Sequence, residues 1–164
     1  MPKVTIAKVN GFCFTGALEL AISCDIVVVA EEAKLGDTHV KFGLRPTWGM
    51  SQRLIRLVGP ARARDLSFTA RTFTGADAAA WGVAARAVPR DQIDDVVAAL
   101  VGEVLGNSAD ALAAYKDLYR AALDRKDVDI VLLLYSTNRN VAICQEAAAL
   151  GKHIVSVKPM ALDL

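Results

Sequence analysis

The chain has 164 residues, of which 54% are hydrophobic and 23% charged, and its formal net charge is +1. This composition predicts a globular protein and excludes an intrinsically disordered one. The nearly neutral charge, without a basic stripe, argues against nucleic-acid binding. The apolar runs, such as residues 130–134, are too short to span a membrane.

Three cysteines, Cys13, Cys24 and Cys144, are odd in number and widely spaced. They predict free thiols in a reducing compartment and not a disulfide framework. The first residues show no charged region followed by an apolar core, so we expect a cytoplasmic protein. The cysteines and the two histidines lack the spacing of zinc ligands, so we expect no metal site.

The predicted elements alternate between strands and helices, as in an α/β protein. Apolar or β-branched runs predict strands at residues 4–9, 26–30 and 84–88, with a shorter extended piece at 33–36. Periodic apolar residues predict helices at residues 16–24, 49–58, 61–69, 92–105 and 108–123, and a capping sequence begins another at Thr74. From residue 127, a strand, a helix at 138–150 and a strand at 153–157 predict a βαβ unit.

Glu19 is the first candidate catalytic residue. It lies in the predicted helix at 16–24, whose other residues are almost all apolar. A helix that is apolar on every face is normally buried, and a buried carboxylate needs compensation from its surroundings. Such a group suits acid–base chemistry. The alternative is structural, with Glu19 reaching solvent or pairing with a surface Lys or Arg.

Gly16 stands at the predicted start of the same helix, between Thr15 and Ala17. The first N–H groups of a helix have no partner within it, so a start lined by small side chains can hold a developing oxyanion. The alternative is that Gly16 only relieves packing. A carboxylate beside an oxyanion donor is typical of an active site.

Asp37 and His39 form an ionisable cluster ahead of a loop that contains Trp48 and Gly49. His39 could exchange protons at neutral pH, or it could only hydrogen-bond the loop backbone. Trp48 could line a ligand pocket or pack on the core. For His39 both alternatives stay open at this point. We predict that Asp37, Trp48 and Gly49 contact the substrate.

Several common catalytic and cofactor motifs do not occur in the sequence. Ser51 is not a triad nucleophile with His39 and Asp37, because G-x-S-x-G is absent. Neither G-x-G-x-x-G nor the P-loop sequence occurs, so the chain carries no glycine-rich phosphate signal.

Residues 4–124 resemble the enoyl-CoA hydratase/isomerase (crotonase) family, in the part that forms the second half of its members. The segments that carry the resemblance are I-A-K-V-N-G at 6–11, G-A-L-E-L-A at 16–21, C-D at 24–25, A-K-L-G at 33–36, L-R-P at 44–46, Q-R-L at 52–54 and A-D-A at 76–78. The resemblance implies a truncated crotonase-like (ClpP/crotonase) ββα spiral core with C-terminal helices over residues 1–125, and an added βαβ tail over residues 126–164.

By this resemblance Gly16 would donate its N–H to a thioester oxygen, and Glu19 would be the first acid–base carboxylate. His39 falls where the hydratases carry a second glutamate, so it would replace that acid as proton donor. The implied reaction adds water across the double bond of a 2-enoyl-CoA through a thioester enolate, with isomerisation as the alternative. The CoA thioester is a substrate, and no other cofactor is implied. Members are usually trimers or hexamers.

Residues 127–164 resemble a piece of the NAD(P)-dependent glucose–fructose oxidoreductase/inositol dehydrogenase family. The resemblance rests on D-V-D-I-V at 127–131 and on G-K-H-I-V-S-V-K-P at 151–159, where Val157 replaces the Glu of an E-K-P motif. The glycine-rich cofactor turn of that family is missing, so we do not expect this segment alone to bind a dinucleotide. The alternative is a βαβ extension of the main domain.

Three functions therefore stay open. The first is an acyl-CoA hydratase or isomerase that uses Gly16, Glu19 and His39. The second is a catalytically silent domain that assembles with itself or with partners, because the other oxyanion donor of the family lies in the N-terminal half that precedes this segment. The third is an oxidoreductase fragment, which rests on the tail alone.

Overall fold

Two small sheets organise the first of the two units into which the chain divides, Met1–Leu112 and Ala113–Leu164. The computed structural model describes residues 3–124, 130–133 and 153–156. The first sheet has the order β1-β3-β6 and is parallel throughout. Its strands are β1 (Ile6–Val9), β3 (Ile26–Ala30) and β6 (Arg86–Val88).

The second sheet has the order β2-β4-β5, in which β2 and β4 are parallel and β5 is antiparallel to β4. Its strands are β2 (Phe12–Phe14), β4 (Lys34–Gly36) and β5 (Phe73–Thr74). Successive stretches of chain therefore add one strand to each sheet, β1 then β2 and β3 then β4. This is the strand–strand–helix course of the predicted ββα spiral.

Within the described residues, the chain forms six helices. They are α1 (Gly16–Ala21), α2 (Met50–Val58), α3 (Pro60–Thr69), α4 (Gly75–Ala80), α5 (Ile93–Leu105) and α6 (Ala109–Asp124). Short 3₁₀ turns cover His39–Phe42 and Arg90–Gln92. No single helix in this part of the chain is long and apolar enough to cross a membrane, although Arg90–Leu105 and Ala109–Tyr119 pass the same criteria as a pair bent by 101°.

The core lies around β3, whose residues Val28 and Val29 are completely buried. Leu18 of α1, Leu35 of β4 and Leu66 of α3 are also completely buried and belong to the same apolar cluster. Burying one such side chain stabilises the fold by about 1.5–3 kcal/mol. The continuous apolar run at 26–30 thus predicted a strand covered on both faces, and the structure confirms it.

The structure corrects the prediction of a helix at 16–24. The helix ends at Ala21, and a strand that was not predicted, β2, precedes it. The helix is also not buried on every face, because the Leu20 side chain is 64% exposed. Leu20 lies with Phe12, which is 82% exposed, along a shallow apolar cavity beside β1 and β2.

In the second unit, β7 (Ile130–Leu133) pairs in parallel with β8 (His153–Ser156). Parallel pairing is what a βαβ unit requires of its two strands. The predicted helix at 138–150 lies outside the described residues. The predicted domain division at residue 125 stays a prediction.

Candidate active site

Glu19 is buried, with only 2% of its surface exposed. Its Oε1 atom accepts hydrogen bonds from the backbone N–H groups of Trp48, at 2.9 Å, and Met50, at 3.0 Å. Two backbone donors compensate a carboxylate that has lost its water, so the charged form can persist inside the protein. The alternative in which Glu19 reaches solvent or pairs with a surface Lys or Arg is therefore wrong.

The end of β4 holds the start of α1 in place. The Thr15 N–H donates to the Gly36 carbonyl oxygen at 3.1 Å, and Thr15 has a φ of 49°, in the region that residues other than glycine rarely adopt. This junction sets the first turn of α1 beside the segment that leaves β4. Glu19 and the Asp37–His39 segment are adjacent for this reason, although twenty residues separate Glu19 from His39.

His39 lies between two carboxylates and is 7% exposed. Its Nδ1 atom is 2.7 Å from Asp37 Oδ1, and its Nε2 atom is 3.5 Å from Glu19 Oε2. The second distance exceeds the usual N–H···O length of about 2.9 Å. His39 and Glu19 therefore face each other without being tightly bound, and both can engage a reacting group.

Asp37 is 3% exposed, and both of its carboxylate oxygens are occupied. Oδ1 contacts the His39 ring, and Oδ2 accepts a hydrogen bond of 2.7 Å from the Ser67 hydroxyl. A carboxylate engaged on both oxygens has little capacity left for a ligand. The geometry thus favours a role for Asp37 in holding His39 over the predicted contact with substrate.

Gly16 is the first residue of α1, as predicted. No acceptor for its N–H is found among the residues that the structure describes. The Trp48 indole covers this position so closely that a Cβ atom added to Gly16 would lie 3.2 Å from Trp48 Cζ3. An amide N–H without an acceptor in the protein is a group to which a carbonyl oxygen can bind.

The Trp48–Gly49 segment lies against both Glu19 and Gly16. The Trp48 side chain is 64% exposed, while its backbone N–H holds Glu19 and its carbonyl oxygen accepts a 2.6 Å hydrogen bond from Arg53. Gly49 has a φ of 103°, and a Cβ there would meet Arg53 Nη1 at 2.1 Å. Gly49 is thus required by the turn that aims both amides at Glu19.

A cavity of about 330 Å³ opens beside Asp37 and His39. It extends between the 3₁₀ turn at His39–Phe42, α2 and α3. Its lining is mostly apolar and includes Leu54, Ile55 and Phe68, with Arg64 as a charged member. Its volume falls at the lower end of the range for small-ligand sites.

The structure therefore brings together all the predicted site residues. Among them, Asp37 holds the His39 ring, and Gly49 forms the turn that directs two amides at Glu19. Sequence reasoning missed Ser67 and the amide of Met50. Their contribution depends on where α2 and α3 pack, and no local motif marks either residue. Among the described residues, no group of three or more His, Cys, Asp or Glu side chains could hold a metal ion.

Comparison with known proteins identifies the family. The enoyl-CoA hydratase/isomerase family model matches residues 1–138. The chain belongs to the enoyl-CoA hydratase/isomerase family. A probable enoyl-CoA hydratase of Mycobacterium tuberculosis is 38% identical over 120 residues, which cover 73% of this chain and 47% of that protein. The carnitinyl-CoA dehydratase of Salmonella enteritidis is 35% identical over 121 residues, covering 74% of this chain and 46% of that protein.

Solved members of the hydratase/isomerase family share the fold. A Thermobifida fusca protein solved in complex with acetoacetyl-CoA superposes with a TM-score of 0.71 at 34% identity, covering 89% of this chain and 54% of that one. This confirms the predicted crotonase-like α/β core. The chain spans about half the length of the curated relatives it matches. The comparisons give no support to the resemblance of residues 127–164 to an oxidoreductase.

Proposed function

We propose that this chain carries the acid–base part of an acyl-CoA hydratase or isomerase active site, with a 2-enoyl-CoA or a related CoA thioester as substrate. The observation that carries the proposal is the 3.5 Å approach of Glu19 Oε2 and His39 Nε2 inside the protein, with Glu19 in the helix whose first residue, Gly16, has an N–H without an acceptor among the described residues. Two groups that can exchange protons next to one hydrogen-bond donor match the needs of enolate chemistry.

In the hydration direction, Glu19 takes a proton from a water molecule whose oxygen adds to C3 of the enoyl group. The electrons of the double bond move toward the thioester carbonyl, and the Gly16 N–H stabilises the charge that develops on its oxygen. His39, as an imidazolium, then gives the proton on Nε2 to C2 and becomes the neutral ring that carries its proton on Nδ1. Loss of one such oxyanion donor typically slows catalysis about a hundredfold or more.

The surroundings of the pair offer space for the rest of the thioester. The cavity of about 330 Å³ beside His39 is lined mostly by apolar groups, which suits an acyl chain. The Trp48 indole borders Gly16, where the thioester end of the substrate would lie, and 64% of Trp48 is exposed. We propose both as substrate-binding surfaces.

The relatives support this substrate class by their names. One is a dehydratase of a CoA thioester, and a solved relative was obtained with acetoacetyl-CoA. We propose no cofactor other than the CoA moiety of the substrate. We also propose that the protein works as a homo-oligomer, since Phe42 is 69% exposed, and that it is cytoplasmic.

The test is the hydration of crotonyl-CoA, followed by the loss of its conjugated thioester absorbance. We expect wild-type protein to turn over and Glu19→Gln to be at least about a hundredfold slower, because the variant keeps the shape of the side chain but cannot accept the proton. Glu103→Gln is the matched control. It changes an exposed carboxylate, 3.4 Å from Arg86 on the surface, and should leave the rate unchanged.

Equal rates for wild type and Glu19→Gln would overturn the proposed chemistry. Absence of any turnover, together with absence of binding heat in calorimetry with acetoacetyl-CoA, would instead favour a catalytically silent assembly domain.

A further inference from the structure

We infer that Asp37 and Ser67 are positioning residues that hold the neutral ring of His39 as its Nδ1–H tautomer, so that Nε2 is the nitrogen that exchanges protons. The chemical use of this arrangement rests on the proposed function. The tautomer of the neutral ring can be measured in the protein without turnover.

Polar contacts link Ser67 of α3, through Asp37, to the His39 ring. The Ser67 hydroxyl donates to Asp37 Oδ2 at 2.7 Å, and Asp37 Oδ1 lies 2.7 Å from His39 Nδ1. The His39 backbone N–H also points at Oδ1, at 3.5 Å. The Asp37 carboxylate therefore faces donors from His39 in its own segment and from Ser67 of α3, and it acts as the acceptor in these contacts. The ring nitrogen that meets this acceptor must carry a proton.

The two ring nitrogens of His39 have unequal acceptors. Nδ1 is 2.7 Å from Asp37, a short charge-assisted distance, whereas Nε2 is 3.5 Å from Glu19, whose other oxygen already accepts two backbone N–H groups. A neutral imidazole has only one N–H. It keeps that proton on Nδ1, where the hydrogen bond is shorter.

This asymmetry has a consequence for turnover. After water has been added, Glu19 holds the proton taken from water and His39 Nε2 has lost a proton to C2 of the substrate. The two atoms that must exchange a proton are the pair that face each other at 3.5 Å. A proton passing from Glu19 Oε2 to His39 Nε2 restores both groups, and no proton has to enter from bulk solvent. The wrong tautomer would present an N–H to Glu19 and block this return.

The direct test is the long-range ¹H–¹⁵N spectrum of the imidazole rings in the full-length protein. The chain has two histidines, so His153→Gln leaves a spectrum of His39 alone. The pH is raised until the His39 ring is neutral, with Asp37 and Glu19 as the charged groups that face it. We expect Nδ1 to stay protonated and Nε2 to be the nitrogen that loses its proton.

Asp37→Asn should reverse the tautomer. The Ser67 hydroxyl would donate to the amide oxygen, which turns the amide N–H₂ toward Nδ1 and leaves the ring proton on Nε2. In turnover of crotonyl-CoA we expect this variant to lose at least a hundredfold in kcat with little change in KM, since the substrate-binding groups are untouched. Asp65→Asn is the matched control, because Asp65 is an exposed carboxylate of α3 paired with Arg71.

Ser67→Ala gives a second, milder variant in which the Asp37–His39 contact is retained. We expect it to keep the Nδ1–H tautomer and to lose several-fold in kcat. An Nε2–H tautomer in the wild-type spectrum would overturn the inference, and so would an unchanged tautomer in a folded Asp37→Asn variant. A wild-type protein with the Nδ1–H tautomer but no turnover would overturn the proposed function and leave the tautomer assignment in place.

Discussion

At the scale of single residues, the site is built by giving every buried charge a partner. Glu19, Asp37 and His39 are all less than 8% exposed, and each meets a donor or an acceptor within 3.5 Å. Leaving one such group unpaired would cost about 1–3 kcal/mol or more. The sequence predicted that Glu19 is buried, because its helix is apolar. It could not predict the compensating amides, which come from a loop almost thirty residues downstream.

The burial of Cys13 can be tested through the reactivity of its thiol. Cys13 is 3% exposed, and burial raises the pKa of its thiol from 9.0 to about 11. At pH 8 its thiolate fraction is therefore about a hundred times smaller than in the unfolded chain. We expect iodoacetamide to label Cys13 at least ten times more slowly in folded protein than in urea, as measured by peptide mass spectrometry. Labelling at the same rate in both states would contradict the placement of β2.

At the scale of elements, the start of α4 approaches the end of β3 closely. A Cβ added at Gly75 would lie 1.9 Å from the Ala30 carbonyl oxygen. Gly75→Ala should therefore lower the free energy of unfolding by about 3 kcal/mol or more, because backbone must move. Gly102, inside α5, is the control, since a Cβ there meets nothing within 4 Å.

Gly102→Ala should raise the free energy of unfolding by about 0.5–1 kcal/mol, because alanine loses less entropy in a helix. Urea unfolding of the two variants measures both values. A Gly75→Ala protein as stable as wild type would contradict the packing of α4 on β3.

The first turn of α4 has the capping box that the sequence predicted. Thr74 accepts from the Asp77 N–H and Asp77 accepts from the Thr74 N–H. The hydrogen bonds from Thr74 lower the pKa of Asp77 below its ordinary 3.8. This stabilisation is present above pH 3.8 and is lost as the pH falls through the lowered pKa.

Thr74→Ala should accordingly reduce the free energy of unfolding by about 1 kcal/mol at pH 7. The difference from wild type should shrink as the pH is lowered past 3.8, because protonated Asp77 no longer benefits from Thr74. Denaturant unfolding at a series of pH values tests this. A stability difference between wild type and Thr74→Ala that grows toward low pH would contradict the assignment of the lowered pKa of Asp77 to its hydrogen bonds with Thr74.

The elements that the sequence failed to predict are those that depend on packing between distant segments. β3 was predicted with its observed bounds, Ile26–Ala30, because a run of branched apolar residues is a local signal. β2 was missed because three residues carry too little pattern and its pairing with β4 is a long-range contact. In α2, which the periodic apolar residues predicted, Leu54 is buried, whereas Ile55 and Leu57 remain 42% and 37% exposed.

At the scale of the whole molecule, the spiral course of the chain places the site. Each turn adds a strand to both sheets, and the helix that follows β2 meets the segment that leaves β4. Glu19 and His39 are thus adjacent because β2 and β4 are paired in parallel, from Phe12 with Lys34 to Phe14 with Gly36. The resemblance placed both residues at acid–base positions, and their proximity in space agrees with that expectation.

In the proposed reaction, Glu19 takes a proton from water and His39 exchanges a proton with the α-carbon of the thioester. The exchange is measured by following deuterium incorporation at the α-carbon of butyryl-CoA in D₂O by mass spectrometry. We predict incorporation with wild-type protein, unchanged rates with Glu103→Gln, and a rate at least about a hundredfold lower with His39→Gln. Incorporation by His39→Gln at the wild-type rate, or none with wild-type protein, would contradict the account.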